Sequence, residues 1–180
     1  MKSDFELALE FTLKWEGGFV HHPKDPGGRT NKGITQMKYD EYRRSMGVAP
    51  RSVAEISDDE CRAIYRQSFW SEVEKLLDPA WLALRIAMFD SFVQFGTYGG
   101  TWLWQRALGI AADGHWGPIT RAATRARVEL KGSLRAAWDL IAERICYRAT
   151  RVNQRFDQKV FLSGWLNRDT DLMSYVLKLE

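Results

Sequence analysis

Cysteine is scarce in this chain. Cys61 and Cys146 stand far apart and match no metal-ligand spacing, which excludes a disulfide framework and a zinc site and leaves two reduced, structural thiols. Histidine is scarce too. His21 and His22 are adjacent, so their side chains diverge, and no further ligand cluster accompanies them; a loop or a substrate contact is the reading, and no metal is expected. No apolar run reaches the length of a membrane span. The N-terminus is charged and amphipathic, unlike a signal peptide. The sequence therefore predicts synthesis in the cytoplasm without a signal peptide, no stable membrane insertion, and a separate route to any target outside. Linkers, repeats and low-complexity tracts are missing as well, which predicts one compact unit.

What is present suits a globular domain. A length of 180 residues can bury a sizeable core without disulfides or a structural metal. Eight tryptophans supply core filling or stacking surface. Charge is uneven: residues 1–90 hold 13 basic and 15 acidic side chains, residues 91–180 hold 13 and 8. Attraction of the C-terminal half to a polyanion is one reading. The arginines at 121, 125, 135, 144, 148, 151 and 155 equally fit a solvated helix face.

Nearly every segment reads as helix. Ser3-Asp4-Phe5-Glu6 is a capping box opening a helix that Gly17-Gly18 ends. Residues 19–34 are a turn-rich loop with room for a short hairpin. Helices are expected over 36–46, 53–56 and, behind the capping box Ser57-Asp58-Asp59-Glu60, 58–70. Asp78-Pro79 reads as the start of an apolar helix running to Phe95 at the centre of the fold. Beyond the turns at Gly96–Gly100, helices are expected up to Leu108, over 118–130 and 133–155, and as two short pieces at the C-terminus. Asp90, in the most apolar helix, needs a buried partner and is expected to brace the cleft through a structural hydrogen bond.

Chemistry concentrates in Trp15-Glu16-Gly17-Gly18-Phe19 and the loop that follows. Glu16 falls at the negative end of a helix dipole beside two aromatic residues, both of which favour the protonated form that a general acid needs. Asp25, in the solvated turn Asp25-Pro26-Gly27-Gly28, is expected to stay ionised. Two carboxyl groups in contrasting environments fit glycoside hydrolysis. Thr30, Asn31 and Thr35 are placed to hold a water or orient a sugar. The plainer reading is a solvated helix end followed by a common turn.

Resemblance sharpens this. Trp15–Val20, then Asp25–Thr35, resembles glycoside hydrolase family 108, the N-acetylmuramidases of phage endolysins and secretion-activating proteins. Asp90-Ser91-Phe92-Val93-Gln94-Phe95-Gly96, the stretch Trp104–Thr120 and Gly164-Trp165-Leu166-Asn167-Arg168 are similar to the rest of that family, with Gln94 where asparagine is usual and Trp104 where leucine is common. The order Glu16, Asp25, Thr30 is also similar to the catalytic triplet of phage lysozymes, although Thr30 falls one residue short of their spacing. The resemblance implies an all-α, lysozyme-like fold with a short-hairpin loop after the first helix. It implies a catalytic lobe over 1–95 and a peptidoglycan-binding-like helical lobe over 96–180, packed as one unit.

The activity so implied is that of an N-acetylmuramidase, a lysozyme-type hydrolase of the β-1,4 bond between N-acetylmuramic acid and N-acetylglucosamine. Glu16 is the acid, with Asp25 or a water held by Thr30 as the second group. Trp15, Phe19, Asn31, Thr35, Gln94 and Tyr98 are candidate substrate contacts, and Trp102 and Trp116 fit a sugar groove or the core. No cofactor is expected. The expected partners are glycan strands and a holin-type export partner, with action on the wall by a monomer that binds no nucleic acid. A lytic transglycosylase and a non-catalytic wall-binding protein remain the alternatives.

Overall fold

The computed structural model describes residues 2–19 and 29–179. Asp25, His21 and His22 lie outside that range. The elements run α1 (Asp4–Trp15), a two-stranded antiparallel hairpin of β1 (Thr30–Asn31) and β2 (Ile34–Thr35), α2 (Gln36–Ser45), a 3₁₀ turn (Val53–Glu55), α3 (Asp58–Tyr65), α4 (Ser71–Leu76), α5 (Leu82–Leu108), α6 (Pro118–Gln154) and α7 (Lys159–Leu177). The fold is all-α apart from the hairpin, in which Thr30 pairs with Thr35 and Asn31 with Ile34.

Both capping boxes form. Ser3 and Ser57 each accept from the backbone three residues on, and Glu6 and Glu60 bond back. A π-helical turn over Arg66–Trp70 joins α3 to α4, so helical backbone continues past the expected end at residue 70 to Leu76. At the core, Phe5, Trp70 and Phe89 pack with ring centroids 5.7–6.2 Å apart. Cys61 is buried, and burial pushes its thiol up to about 11; Cys146 is exposed.

The first half of α5 is buried without interruption from Ala83 to Phe92, as its all-round apolar sequence requires. α1, α6 and α7 pack around it. The helix begins later than the sequence suggests. Asp78 accepts from the Ala80 N–H at 2.9 Å in a separate turn, and Trp81 leaves helical geometry (φ −100°, ψ 52°) before Leu82 starts the helix. Gly96 (φ 72°) kinks α5 where a turn cluster is expected, and Gly132 (φ 79°) kinks α6 at the expected break. The C-terminal segment is one 19-residue helix rather than two short ones, with a single 3₁₀ turn (Phe156–Gln158) before it. Arg168, Asp169, Leu172 and Val176 hold its inner face against the body.

Candidate active site

Glu16 caps the C-terminus of α1. Its N–H still bonds to the Thr12 carbonyl at 3.0 Å, while its own backbone turns extended (φ −79°, ψ 128°) and releases the side chain sideways. The carboxylate is only 17 % exposed. Oε1 accepts from Arg168 Nη1 at 2.8 Å and from Gln94 Nε2 at 3.3 Å. Three distant parts of the chain, α1, α5 and α7, thus meet on one oxygen.

Behind Glu16 stands the hairpin turn. Tyr65 Oη donates to the Lys32 carbonyl at 2.9 Å and so fixes the turn over the helical body. Burial, and then the Glu16 charge, hold the Tyr65 phenol well above its ordinary range, so it is a neutral hydroxyl. Gly33 has φ +74°, and a β-carbon there would lie 2.5 Å from Tyr65 Oη and 2.8 Å from Glu16 Oε2. Gly33→Ala therefore forces the hairpin off the acid. The left-handed backbone alone costs about 1–2 kcal/mol, visible as a lower urea midpoint, and hydrolysis should fall further than stability does.

Arg168 also ties Glu16 to a buried charge cluster. Its Nη2 donates to Asp90 Oδ1 at 2.6 Å, and Arg144 Nη2 donates to Asp90 Oδ2 at 2.9 Å. Thr12 adds a hydroxyl to Asp90 at 3.2 Å. Arg144 Nη2 lies 2.5 Å from Asp169 Oδ1, a charge contact without hydrogen-bond alignment, and Arg148 Nε donates to Asp169 Oδ2 at 2.8 Å. Arg148 Nη2 then reaches Gln94 Oε1 at 3.4 Å, which closes the circuit back to Glu16. Burial pushes the Asp90 carboxyl up, but Arg144 and Arg168 outweigh it and hold it below the usual range. Asp90 is thus the buried brace that the sequence calls for. Three guanidinium groups face three carboxylates here, so the cluster is neutral when Glu16 is ionised.

Two of these cations revise the reading of the arginine stretch. Arg144 and Arg148 are buried, whereas Arg121, Arg125, Arg135, Arg151 and Arg155 are exposed. Positions 144 and 148 continue the buried stripe Ala137, Leu140, Ile141 at helical spacing. That register was the available signal for them. Arg168 and Tyr65 had none of comparable strength.

The other candidate residues have separate placements. Asn31 is buried and donates to the Val53 and Ala54 carbonyls at 3.1 and 3.3 Å, pinning the hairpin to the 3₁₀ turn. Thr35 caps α2 through the Lys38 N–H. Trp15 donates its indole N–H to Asp171 at 2.7 Å, and Phe19 is 49 % exposed. Thr30 sits half-buried on the hairpin. Tyr98 is exposed and packs against Gly114 and His115, away from the contacts of Glu16. Of the residues proposed from sequence, the structure brings Glu16 and Gln94 into direct contact.

With this geometry in place, comparison with known families is decisive. Residues 9–96 match the family described as Glycosyl hydrolase 108, and residues 99–170 match a Predicted Peptidoglycan domain. Residues 9–96 are a glycoside hydrolase family 108 domain. Among solved structures it is similar to one titled Structure of Brucella abortus SagA, with 27 % identity over 97 % of this chain and 94 % of that one and a TM-score of 0.70. No curated protein matches. The family makes the chain a glycoside hydrolase, and the second match makes peptidoglycan its polymer.

Two adjoining cavities lie on the side of Gln94. One, of about 370 Å³, is lined by Gln94, Phe95, Tyr147, Arg148, Arg151 and Trp165. The next, of about 330 Å³, shares Phe95 and Tyr147 and adds Tyr98 and Trp102. A larger cavity of about 500 Å³ lies between α1 and α3, at Lys2, Glu6, Leu9, Asp58 and Arg62, and touches none of the groups around Glu16. Among the described residues, no group of three or more His, Cys, Asp or Glu side chains is gathered as a metal site, and no helix is long and apolar enough to cross a membrane.

Proposed function

We propose that the chain is an N-acetylmuramidase that hydrolyses the β-1,4 bond between N-acetylmuramic acid and N-acetylglucosamine, with Glu16 as general acid. The observation that carries this is the carboxyl group held at a helix end by Arg168 and Gln94, beside a cleft and in front of a glycine turn that leaves it room. Glu16 protonates the glycosidic oxygen as the bond to the muramic anomeric carbon breaks. The negative charge left on Glu16 then develops against the Arg168 guanidinium, already oriented by Asp90, so little reorganisation accompanies the step.

The second group is Asp25, or a water held by Thr30, acting on the oxocarbenium-like centre. Asp25 follows Glu16 by nine residues, and Thr30 belongs to the hairpin whose Gly33 faces the acid. Residues 1–95 supply the acid and hairpin in this reading, and residues 96–180 supply Arg168 and the aromatic cavities. Every group invoked comes from one chain, which suits a monomer.

Digestion of purified sacculi followed by mass spectrometry of the fragments tests the assignment. Hydrolysis at this bond leaves reducing muramic acid ends. Anhydromuramic ends would identify a lytic transglycosylase, and reducing glucosamine ends would place the cut at the other linkage.

A further inference from the structure

The cavity beside Gln94 carries an unusual charge. Its lining contains two guanidinium groups, Arg148 and Arg151, and no carboxylate. Arg148 is buried, with 3 % of its surface exposed, and its guanidinium carbon lies 4.9 Å from the centre of the Phe95 ring and 5.2 Å from that of Trp165. One carboxylate, Asp169, serves it from the far side. Burial pulls its pKa below the ordinary arginine range, with Asp169 acting against it.

Arg151 has no ion-pair partner among the described residues. Its Nε donates to Gln158 Oε1 at 2.5 Å and its Nη1 to Tyr147 Oη at 3.1 Å, both neutral oxygens. Those two bonds fix the guanidinium at the cavity rim. The walls are aromatic, the rim and floor are cationic, and Gln94 separates the space from Glu16 by a single side chain. A ligand that fits has a compact anionic group on a small, partly apolar frame, and is attached to whatever sugar lies at Glu16.

Peptidoglycan offers such a group in one place. The muramic sugar bears, through its lactyl ether, a short peptide with free carboxylates, whereas the glucosamine sugar bears none. We propose that the Phe95–Tyr147–Arg148–Arg151–Trp165 cavity binds a carboxylate of this stem peptide, with Arg151 as its main hydrogen-bond donor. The proposal rests on the peptidoglycan reading of the Glu16 site. It makes the cavity a specificity element that distinguishes stem-bearing muramic acid from bare glycan. Binding there also sets which of the two alternating sugars lies on which side of the acid.

The test is equilibrium binding, so that it does not depend on turnover. Full-length protein carrying Glu16→Gln is titrated with N-acetylmuramyl-L-alanyl-D-glutamic acid and with the diamide of the same compound. A charge-assisted hydrogen bond to a partly exposed arginine predicts on the order of ten-fold tighter binding of the acid. Adding Arg151→Gln should remove that preference, and Arg125→Gln, on the exposed face of α6 outside this cavity, should preserve it. Undetectable binding of the acid, equal affinity for acid and diamide, or a preference that survives Arg151→Gln would each overturn the proposal. Failure of the hydrolase reading looks different. Wild-type protein would then release no fragments from sacculi, while the acid-to-diamide ratio would still stand.

Discussion

Glu16→Gln is expected to lower the rate of sacculus hydrolysis by roughly 10²–10⁴-fold, the range that a positioned general acid contributes. The substitution keeps the shape of the side chain and a carbonyl oxygen able to accept from Arg168 and Gln94, so the cleft should persist. What disappears is the transferable proton and the charge that develops as it leaves. Stability should change little, because Arg168 keeps its bonds to Asp90. Glu16 keeps some solvent exposure and Arg168 keeps a second carboxylate partner, so the loss seen by thermal melting should stay below the roughly 3–5 kcal/mol of a broken buried pair. Activity and stability are thereby separated: a large loss of lysis with a small change in melting temperature marks a residue that does chemistry. Equal losses in both would mark a structural one.

The largest effect on stability is expected at the centre of the charge cluster. Arg144 is fully buried between Asp90 and Asp169, whose side chains are fully buried too. Arg144→Met preserves much of the volume but leaves two carboxylates that share only Arg168 and Arg148 between them. Breaking a buried pair by removing one partner costs about 3–5 kcal/mol, because the remaining charge has no compensation. For a domain of this size that corresponds to a melting temperature lower by roughly 6–20 °C. Arg121→Met, on an exposed part of the same helix, should change stability by less than about 0.5 kcal/mol. A loss under 1 kcal/mol at Arg144 would mean that the cluster is not a unit. The contrast is between two arginines of one helix, so general effects of lost charge cancel.

The two variants also show why the acid and the core are coupled. Asp90 holds Arg168, and Arg168 holds Glu16, so the orientation of the acid depends on a charge network running through α5, α6 and α7. Acidification acts on the same network. Asp90 has a depressed pKa in the folded state, so its contribution is present above the ordinary carboxylate range and is lost as the pH falls through the folded value.

Legibility in the sequence followed distance along the chain. Glu16, its glycines and the Ser3 capping box lie within one short segment, and a local pattern conveys them. Asp90 was legible as a polar residue without a neighbour in an apolar helix, although its partners were not. Arg168 lies 152 residues from Glu16, and nothing near Glu16 in the sequence points to it. The family pattern included Arg168 within the C-terminal motif but gave it no role. Arg144 and Arg148 were hidden by composition, since arginines in a basic helix look alike until their register against Ala137, Leu140 and Ile141 is followed. Asn31 and Thr35 show the opposite case. Polar residues beside a catalytic motif invite a substrate role, yet their side chains bond to Val53, Ala54 and Lys38 in the surrounding backbone. The late start of α5 has a local cause, because the Trp81 N–H closes a turn on the Asp78 carbonyl and Trp81 then leaves helical geometry before Leu82.

Mass-spectrometric analysis of sacculi digested by wild-type protein and by Glu16→Gln protein tests the central claim most directly. Wild type should release fragments with reducing muramic acid ends, and Glu16→Gln should release almost none at equal protein concentration and unchanged fold. Fragments with those ends appearing at comparable rates from both proteins would contradict it.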